Sequence, residues 1–328
     1  MSKRTTIQDI AREVGVSISA VSHAFNNPTE ISADLRERIL RVARDRDYRP
    51  DPRARALRRG ESSLIALVVS SLANAYFSGL AQAIQETIAP HNYHLVVLNS
   101  KGMEHGERDC LDVVRHEGMA GAIVDLYRLK PDGALAAATG RPVIFVVDRE
   151  QAVMAPAVRI DNFDAAYKAV MYLADKGYRR IAHIAGPSPA PHAARRRAGY
   201  RKAVRDCKLG PPLEADGDFE FAAGYGAMAD LLHLPERPDA VFAANDLMAL
   251  GALALLRERR IAVPNDIAVV GFDNIEEAAR SVPTLTTMDQ PTGQIGSAAA
   301  TLLLTAMRDP TLRATVDVEC ALVPRGSA

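Results

Sequence analysis

From residue 62 onward the chain sets short apolar runs between amphipathic stretches, and few folds accept that order. LIALVVSS, YHLVVLNS, GAIVDL and PVIFVVD read as strands buried on both faces, as parallel strands covered by helices must be. Between them the spacing predicts helices near residues 75–90, 104–118 and 131–138. RIAHIAG, DAVFAAND and IAVVGFD form a second set, with helices near 162–177, 192–208, 224–233 and 246–259. The expected architecture is α/β: two doubly wound, open parallel sheets in two lobes with a cleft between them. Such sheets hold ligands outside the carboxyl ends of their strands.

The polar residues fall at those ends. Asp148 follows PVIFVV, Asn245 and Asp246 follow AVFAA, and Asp273 and Asn274 follow IAVVGF. Asp161 comes just after VRI, near where the chain crosses between lobes, and Arg196 lies in the first turns of a helix behind a proline-rich loop. Carboxylates and an arginine around one cleft suit a polyhydroxylated ligand, because each binds adjacent hydroxyls through charge-assisted hydrogen bonds. Tyr76, Phe77 and Phe219 could add apolar faces for a ring. Duller roles stay open: an Asp or Asn after a strand is often a helix cap, which applies to Asp246 and Asp161, and Phe219 could be core.

A chain of 328 residues with 48% apolar composition has material for two or three cores without disulfides. Cys110, Cys207 and Cys320 are far apart and match no zinc or redox spacing, so they read as structural thiols, with no metal or cofactor expected. No stretch approaches the roughly 18 apolar residues of a membrane span. MSKRTTIQDI turns polar where a signal peptide needs an apolar stretch, so a cytoplasmic protein without membrane contact is expected.

The net charge of zero hides a split. Residues 1–60 carry 13 Lys+Arg against 8 Asp+Glu, and the remaining 268 carry 27 against 32. A basic head suggests a polyanionic partner. In that head Thr6 can cap a helix in which Ile7, Ile10, Ala11 and Val14 share a face, and Gly15 ends it. Ser17 can cap a second helix that breaks at Asn26-Asn27-Pro28. Ser32 can cap a third, striped by Leu35, Ile39 and Val42. Three short helices with a four-residue turn between the first two describe a helix-turn-helix domain. Val21, Ala24 and Phe25 can turn inward, leaving Ile18, Ser19, Ser22 and His23 together outside. In a major groove the hydroxyls and imidazole can bond to bases or phosphates, and Ile18 suits a thymine methyl.

RPDPRARALRRG, residues 49–60, then surrounds Ala54, Ala56 and Leu57 with Arg53, Arg55, Arg58 and Arg59. Alone it is too short and like-charged to be helical in water. Where anions neutralise it, a leucine among arginines has the composition of a minor-groove wedge.

TTIQDIAREVGVSISAVSHAFN followed by YRPDPRARALRRG resembles the headpiece of the lactose-repressor (LacI/GalR) family of bacterial transcription regulators. The resemblance continues in family order through AYFSGLAQAIQ, GAIVDL, VRIDN, GPSPAPHAARRRAGY, FAANDLMALGALALL, VVGFDN and TLTTMDQP. It implies an all-α helix-turn-helix headpiece over 1–49 and a hinge helix within 50–61. A periplasmic-binding-protein-like core follows, with one lobe from 62–161 plus 291–323 and the other from 162–290. The helix Thr292 to Met307 and the strand ATVDVECALV would belong to the first lobe.

By the same resemblance the second helix reads operator DNA through Ile18, Ser19 and His23, and Ser17 and Ser22 hold phosphates. Leu57 enters the operator centre, and Thr6, Asn26, Ala54 and Arg58 complete the DNA contacts. Ala20 departs from the family, where a threonine is more usual. Arg196, Asn245 and Asp273 match effector-contacting positions, with Phe77, Asp148, Asp161, Phe219 and Gln290 beside them. Ala190 and His192 stand where purine-binding relatives use an arginine and a threonine, so a sugar or sugar derivative is favoured. The chain ends LVPRGSA without the leucine-rich tetramerising tail of the lactose repressor, so a homodimer on a near-palindromic operator is expected. LVPRGS also matches an engineered protease site, but family members often close with a similar Arg-Gly-Ser, and a native end is expected.

Two other functions compete. A pure ligand-binding protein would lack the headpiece. For an enzyme on this fold, no G-x-G-x-x-G follows a strand and no P-loop or G-x-S-x-G appears, though clustered acids could still do chemistry.

Overall fold

The computed structural model describes residues 5–26, 30–48, 62–188 and 190–328. The chain divides into two compact units, residues 1–62 and 63–328. Residues 50–61, with Ala54, Leu57 and Arg58, and residues 27–29 lie outside the described residues.

The first unit contains α1 (Ile7–Val14), α2 (Ile18–Asn26) and α3 (Ala33–Asp45). Thr6 and Asp9 form a reciprocal capping box at the start of α1. Gly15, at φ 76°, closes it in the left-handed region that a side chain would disfavour. The Ser17 hydroxyl accepts from the Ala20 N–H at 3.1 Å, and Ser32 caps α3. Ile10, Val21, Ala24 and Ile39 are fully buried at the centre of this small core, with Phe25, Leu35 and Val42 packed against them. Burial of Ile10, Val21 and Ile39 stabilises the unit by about 1.5–3 kcal/mol each.

The second unit holds two six-stranded sheets. The first is built from β1 (Leu64–Val69), β2 (His94–Asn99), β3 (Gly121–Asp125), β4 (Val143–Asp148), β5 (Ala157–Ile160) and β11 (Thr315–Val318), in the order β11-β5-β4-β3-β1-β2 and all parallel. The second comprises β6 (Ile181–Ala185), β7 (Leu213–Asp216), β8 (Ala240–Ala243), β9 (Ala268–Asp273), β10 (Thr286–Asp289) and β12 (Ala321–Val323), in the order β12-β10-β9-β8-β6-β7. Only the β10–β12 pair is antiparallel. The central strands are buried along their length, as their apolar runs require.

The helices are α4 (Ala75–Ile88), α5 (Glu104–His116), α6 (Gly133–Thr139), α7 (Asn162–Asp175), α8 (Pro191–Asp206), α9 (Phe221–Leu232), α10 (Asp246–Glu258), α11 (Glu276–Arg280) and α12 (Thr292–Ala306). Small residues bring some of them close. A Cβ on Gly251 would stand 2.1 Å from the Phe221 carbonyl oxygen, so α9 and α10 touch through their backbones. The cysteines are free.

The structure corrects one expectation. ATVDVECALV is not one strand of the first lobe: β11 joins the first sheet, but β12 pairs antiparallel with β10 in the second. The final residues follow it there. Ser327 is buried, its hydroxyl donates to the Val269 carbonyl at 2.6 Å, and Arg325 donates to Leu285 and Asn274. Among the described residues no helix is long and apolar enough to cross a membrane.

Candidate functional site

Every strand of interest ends at the same place. Tyr76 and Phe77 open α4 after β1, Asp125 ends β3, and Asp148 ends β4. Asn162 opens α7, Arg196 lies in the second turn of α8, Asn245 caps α10, Asp273 ends β9, and Gln290 follows β10. These residues converge on a cavity of about 50 Å³ between the two sheets, walled also by Asn74, Tyr127, His192 and Phe219. It opens beside a second, larger cavity of about 360 Å³ that shares Asn74, Phe77, Tyr127 and Phe219.

Arg196 is the hub. It is 4% exposed, its Nε donates to Asn162 Oδ1 at 2.9 Å, and Nη1 donates to the Ala244 carbonyl. Nη1 lies 3.7 Å from Asp273 Oδ1, and the guanidinium carbon sits 3.7 Å from the centre of the Phe272 ring. A planar cation held on an aromatic face and beside an acid is fixed in orientation before any ligand arrives. Asp273 Oδ1 also accepts from Gln290 Nε2 at 2.6 Å. Its φ of 119° is strained for a residue with a Cβ, and Asn274 follows at 59°.

Asp246 stabilises that turn from below. Fully buried, it accepts from the Ile275 N–H at 2.9 Å and the Thr287 hydroxyl at 2.6 Å. Burial pushes its carboxyl well above the usual range, with Asp273 adding to the effect.

The cavity is electrostatically tense because it concentrates carboxyls with little water. Lost hydration raises Asp125 to about 7 and Asp273 to about 6, while Arg196 opposes both shifts. Desolvation, helped by Arg196, lowers His192 to about 3. Its neutral ring stacks on Phe219 at 5.3 Å, and Tyr127 meets both rings edge-on. One wall is therefore polar and charged, the other flat and aromatic.

The raised carboxyl of Asp125 has a measurable consequence. The folded chain keeps a proton there that the unfolded chain releases near the ordinary carboxylate range, so this stabilisation is lost as pH rises through about 7. Asp125→Asn cannot ionise, and its melting temperature should gain on the native chain's as pH goes from 6 to 8. A constant gap across that range would refute the assignment.

Of the effector-site residues read from sequence, Tyr76, Phe77, Asp148, Arg196, Phe219, Asn245, Asp273 and Gln290 line the cavity. Besides Arg196, Asp273 and Gln290, two more have their polar atoms engaged. Asn245 caps α10 through the Met248 N–H and donates to the Phe219 carbonyl. Asp148 accepts from both nitrogens of Asn162, each at 3.2 Å, and lies 3.3 Å from Arg195 Nε, joining the lobes. Asp161 is not among the lining residues. Its carboxylate caps α7 through the Asp164 N–H at 2.8 Å and pairs with Arg149 at 3.4 Å, while its neighbour Asn162 faces the cavity. The capping role left open for Asp246 belongs instead to Asn245. The cavity also takes in Asn74, Asp125, Tyr127 and Asn162, which the sequence does not mark as site residues, and His192, which it marks only as a departure from purine-binding relatives. Asp125 ends an apolar run just as Asp148 does, and the same rule would have found it.

In the first unit, α2 presents Ser19 and the 41%-exposed Ile18 to solvent, with Ser22 and His23 half-buried beside them. Ser17 and Ser19 share a hydrogen bond at 2.8 Å, and His23 Nδ1 lies 2.8 Å from Glu30 Oε2. Thr6 is engaged in its capping box, and α2 runs to Asn26.

A family model of bacterial regulatory proteins of the lacI family matches residues 6–51, and one of a periplasmic-binding-protein-like domain matches 170–328. The HTH-type transcriptional repressor CytR of Escherichia coli K12 is 35% identical over 326 residues, covering 98% of this chain and 96% of its own. The lac repressor dimer bound to operator and the anti-inducer ONPF is 28% identical, with a TM-score of 0.87 over 99% of each chain. The complex of the transcriptional regulator CelR with cellobiose is also 28% identical, with a TM-score of 0.74 over 99% of this chain and 100% of that one. Helix-turn-helix unit, paired parallel sheets and whole-length relatives agree: the chain belongs to the LacI family of bacterial regulatory proteins and is a DNA-binding transcriptional regulator with an effector-binding core.

Proposed function

We propose that the protein is a repressor that binds a near-palindromic operator as a homodimer and is controlled by a sugar or sugar derivative held between the lobes. The observation that carries the ligand class is the Arg196–Asp273–Gln290 network beside Asn162 and Asp125 in one cavity. Such a set offers a cation, acceptors and amide donors to hydroxyls, with a ring face at Phe219. The CelR–cellobiose complex supports a sugar. On the DNA side, Ile18, Ser19 and His23 are assigned to bases, Ser17 and Ser22 to phosphates, and Leu57 to a wedge at the operator centre.

A ligand can change DNA affinity only by the difference in its affinity for two lobe arrangements. Melting the chain against sugars, sugar phosphates, sugar acids and nucleobases tests the class. Ligand at about a hundred times its Kd stabilises by roughly 2.7 kcal/mol, a visible shift. A sugar hit that alters operator binding supports the reading; a nucleobase hit with no sugar response would overturn it. Recovery of the ligand unchanged separates binding from catalysis.

For the wedge, Leu57→Ala is expected to weaken operator binding at least about tenfold more than binding to random duplex, because an inserted side chain stabilises a bent site. Equal losses on both duplexes, measured by titration, would remove Leu57 from that role.

A further inference from the structure

We propose that Glu30 determines which base edge His23 reads, by holding the imidazole in the tautomer that carries its proton on Nδ1. The inference rests on α2 being the DNA-reading face. His23 Nδ1 and Glu30 Oε2 are 2.8 Å apart. An ionised carboxylate only accepts hydrogen bonds, so Nδ1 is the donor of this pair. In the neutral ring Nε2 is then left as an acceptor. The two ring nitrogens diverge, so with Nδ1 engaged Nε2 is directed away from Glu30. The His23 side chain keeps 36% of its surface exposed, beside Ile18 and Ser19.

In the major groove the hydrogen-bond donors on base edges are the amino groups of adenine and cytosine. An Nε2 acceptor therefore selects adenine or cytosine at the position it meets. Without the carboxylate the ring is free to carry its proton on Nε2, and it then donates to guanine N7 and O6, adenine N7 or thymine O4. Glu30 thus acts on specificity through His23, as a positioning residue that itself needs no contact with DNA. It lies after α2, which ends at Asn26.

The test is selection from random duplexes with the full chain at pH 8.5. Native protein, Glu30→Gln, Glu30→Ala and His23→Ala are compared, with melting temperature as the folding control. Gln keeps the size of Glu but can donate as well as accept, so it removes the lock without removing the side chain. The native chain should favour adenine or cytosine over guanine by roughly fivefold at one operator position. Both Glu30 variants should reduce that to under about twofold there and leave other positions unchanged. A native preference for guanine or thymine, or Glu30 variants that keep the native preference, would overturn the proposal. If His23→Ala changes one position while the Glu30 variants change none, only the tautomer lock fails. If His23→Ala changes nothing, the reading of the α2 face fails with it.

Discussion

Replacing Arg196 by methionine is expected to lower ligand affinity in the cleft by at least about a hundredfold and to destabilise the core by roughly 3–5 kcal/mol. The guanidinium is buried, bonded to Asn162 and Ala244, seated on Phe272 and 3.7 Å from Asp273. It is also the charge that opposes the upward shifts of Asp125 and Asp273. Methionine keeps much of the stem's packing but leaves two crowded carboxyls without their cation. Calorimetric titration with a ligand from the melting screen, and urea unfolding, measure the two effects. Affinity within about threefold of native would show that the ligand does not use the arginine. DNA binding without ligand should survive, because the residue 1–62 unit has its own core.

Glu107→Ala carries the second large effect, from a residue that does not itself line the cavity. Glu107 lies on α5, is fully buried, and its carboxylate accepts from three successive backbone N–H groups, those of Tyr127, Arg128 and Leu129. Alanine would leave three donors without that partner, each costing about 1–3 kcal/mol when unsatisfied, so a loss of roughly 3–5 kcal/mol is expected after partial rehydration. Glu107→Gln retains one acceptor and should lose about half as much. The same loop carries Tyr127 at the aromatic wall, so ligand affinity should fall with stability. Urea unfolding that places the alanine variant within about 1 kcal/mol of native would contradict this.

The two cases mark what was legible in the sequence. Arg196 announces itself because a cation in the first turns of a helix, behind a strand, has few places to point in a doubly wound sheet. Glu107, in EHGERDC, is indistinguishable by spacing from solvated glutamates on the same helix; only the returning loop at residues 127–129 reveals it. Central strands were readable because burial on both faces forces an apolar run. The edge strand β7, Leu213–Asp216, was not: LEAD is half polar, and its pairing with β6 supplies what its composition withholds. ATVDVECALV failed for another reason. Its alternation suits one long strand, but the chain changes lobes within it, and no local pattern encodes a change of sheet. Asp161 and Asn162 show the finest limit. Adjacent polar residues at a helix start divide the tasks of capping and facing the ligand, and one residue of rotation decides which does which.

Occupancy of the cleft is expected to control DNA binding by the headpiece. The most direct measurement is selection of a duplex by the full chain, then titration of that duplex with and without the ligand found by melting. The expected result is a near-palindromic site whose affinity changes at least about tenfold with ligand, a coupling of roughly 1.4 kcal/mol. Arg196→Met should retain the site and lose the change. An operator affinity untouched by a ligand that raises the melting temperature would contradict it.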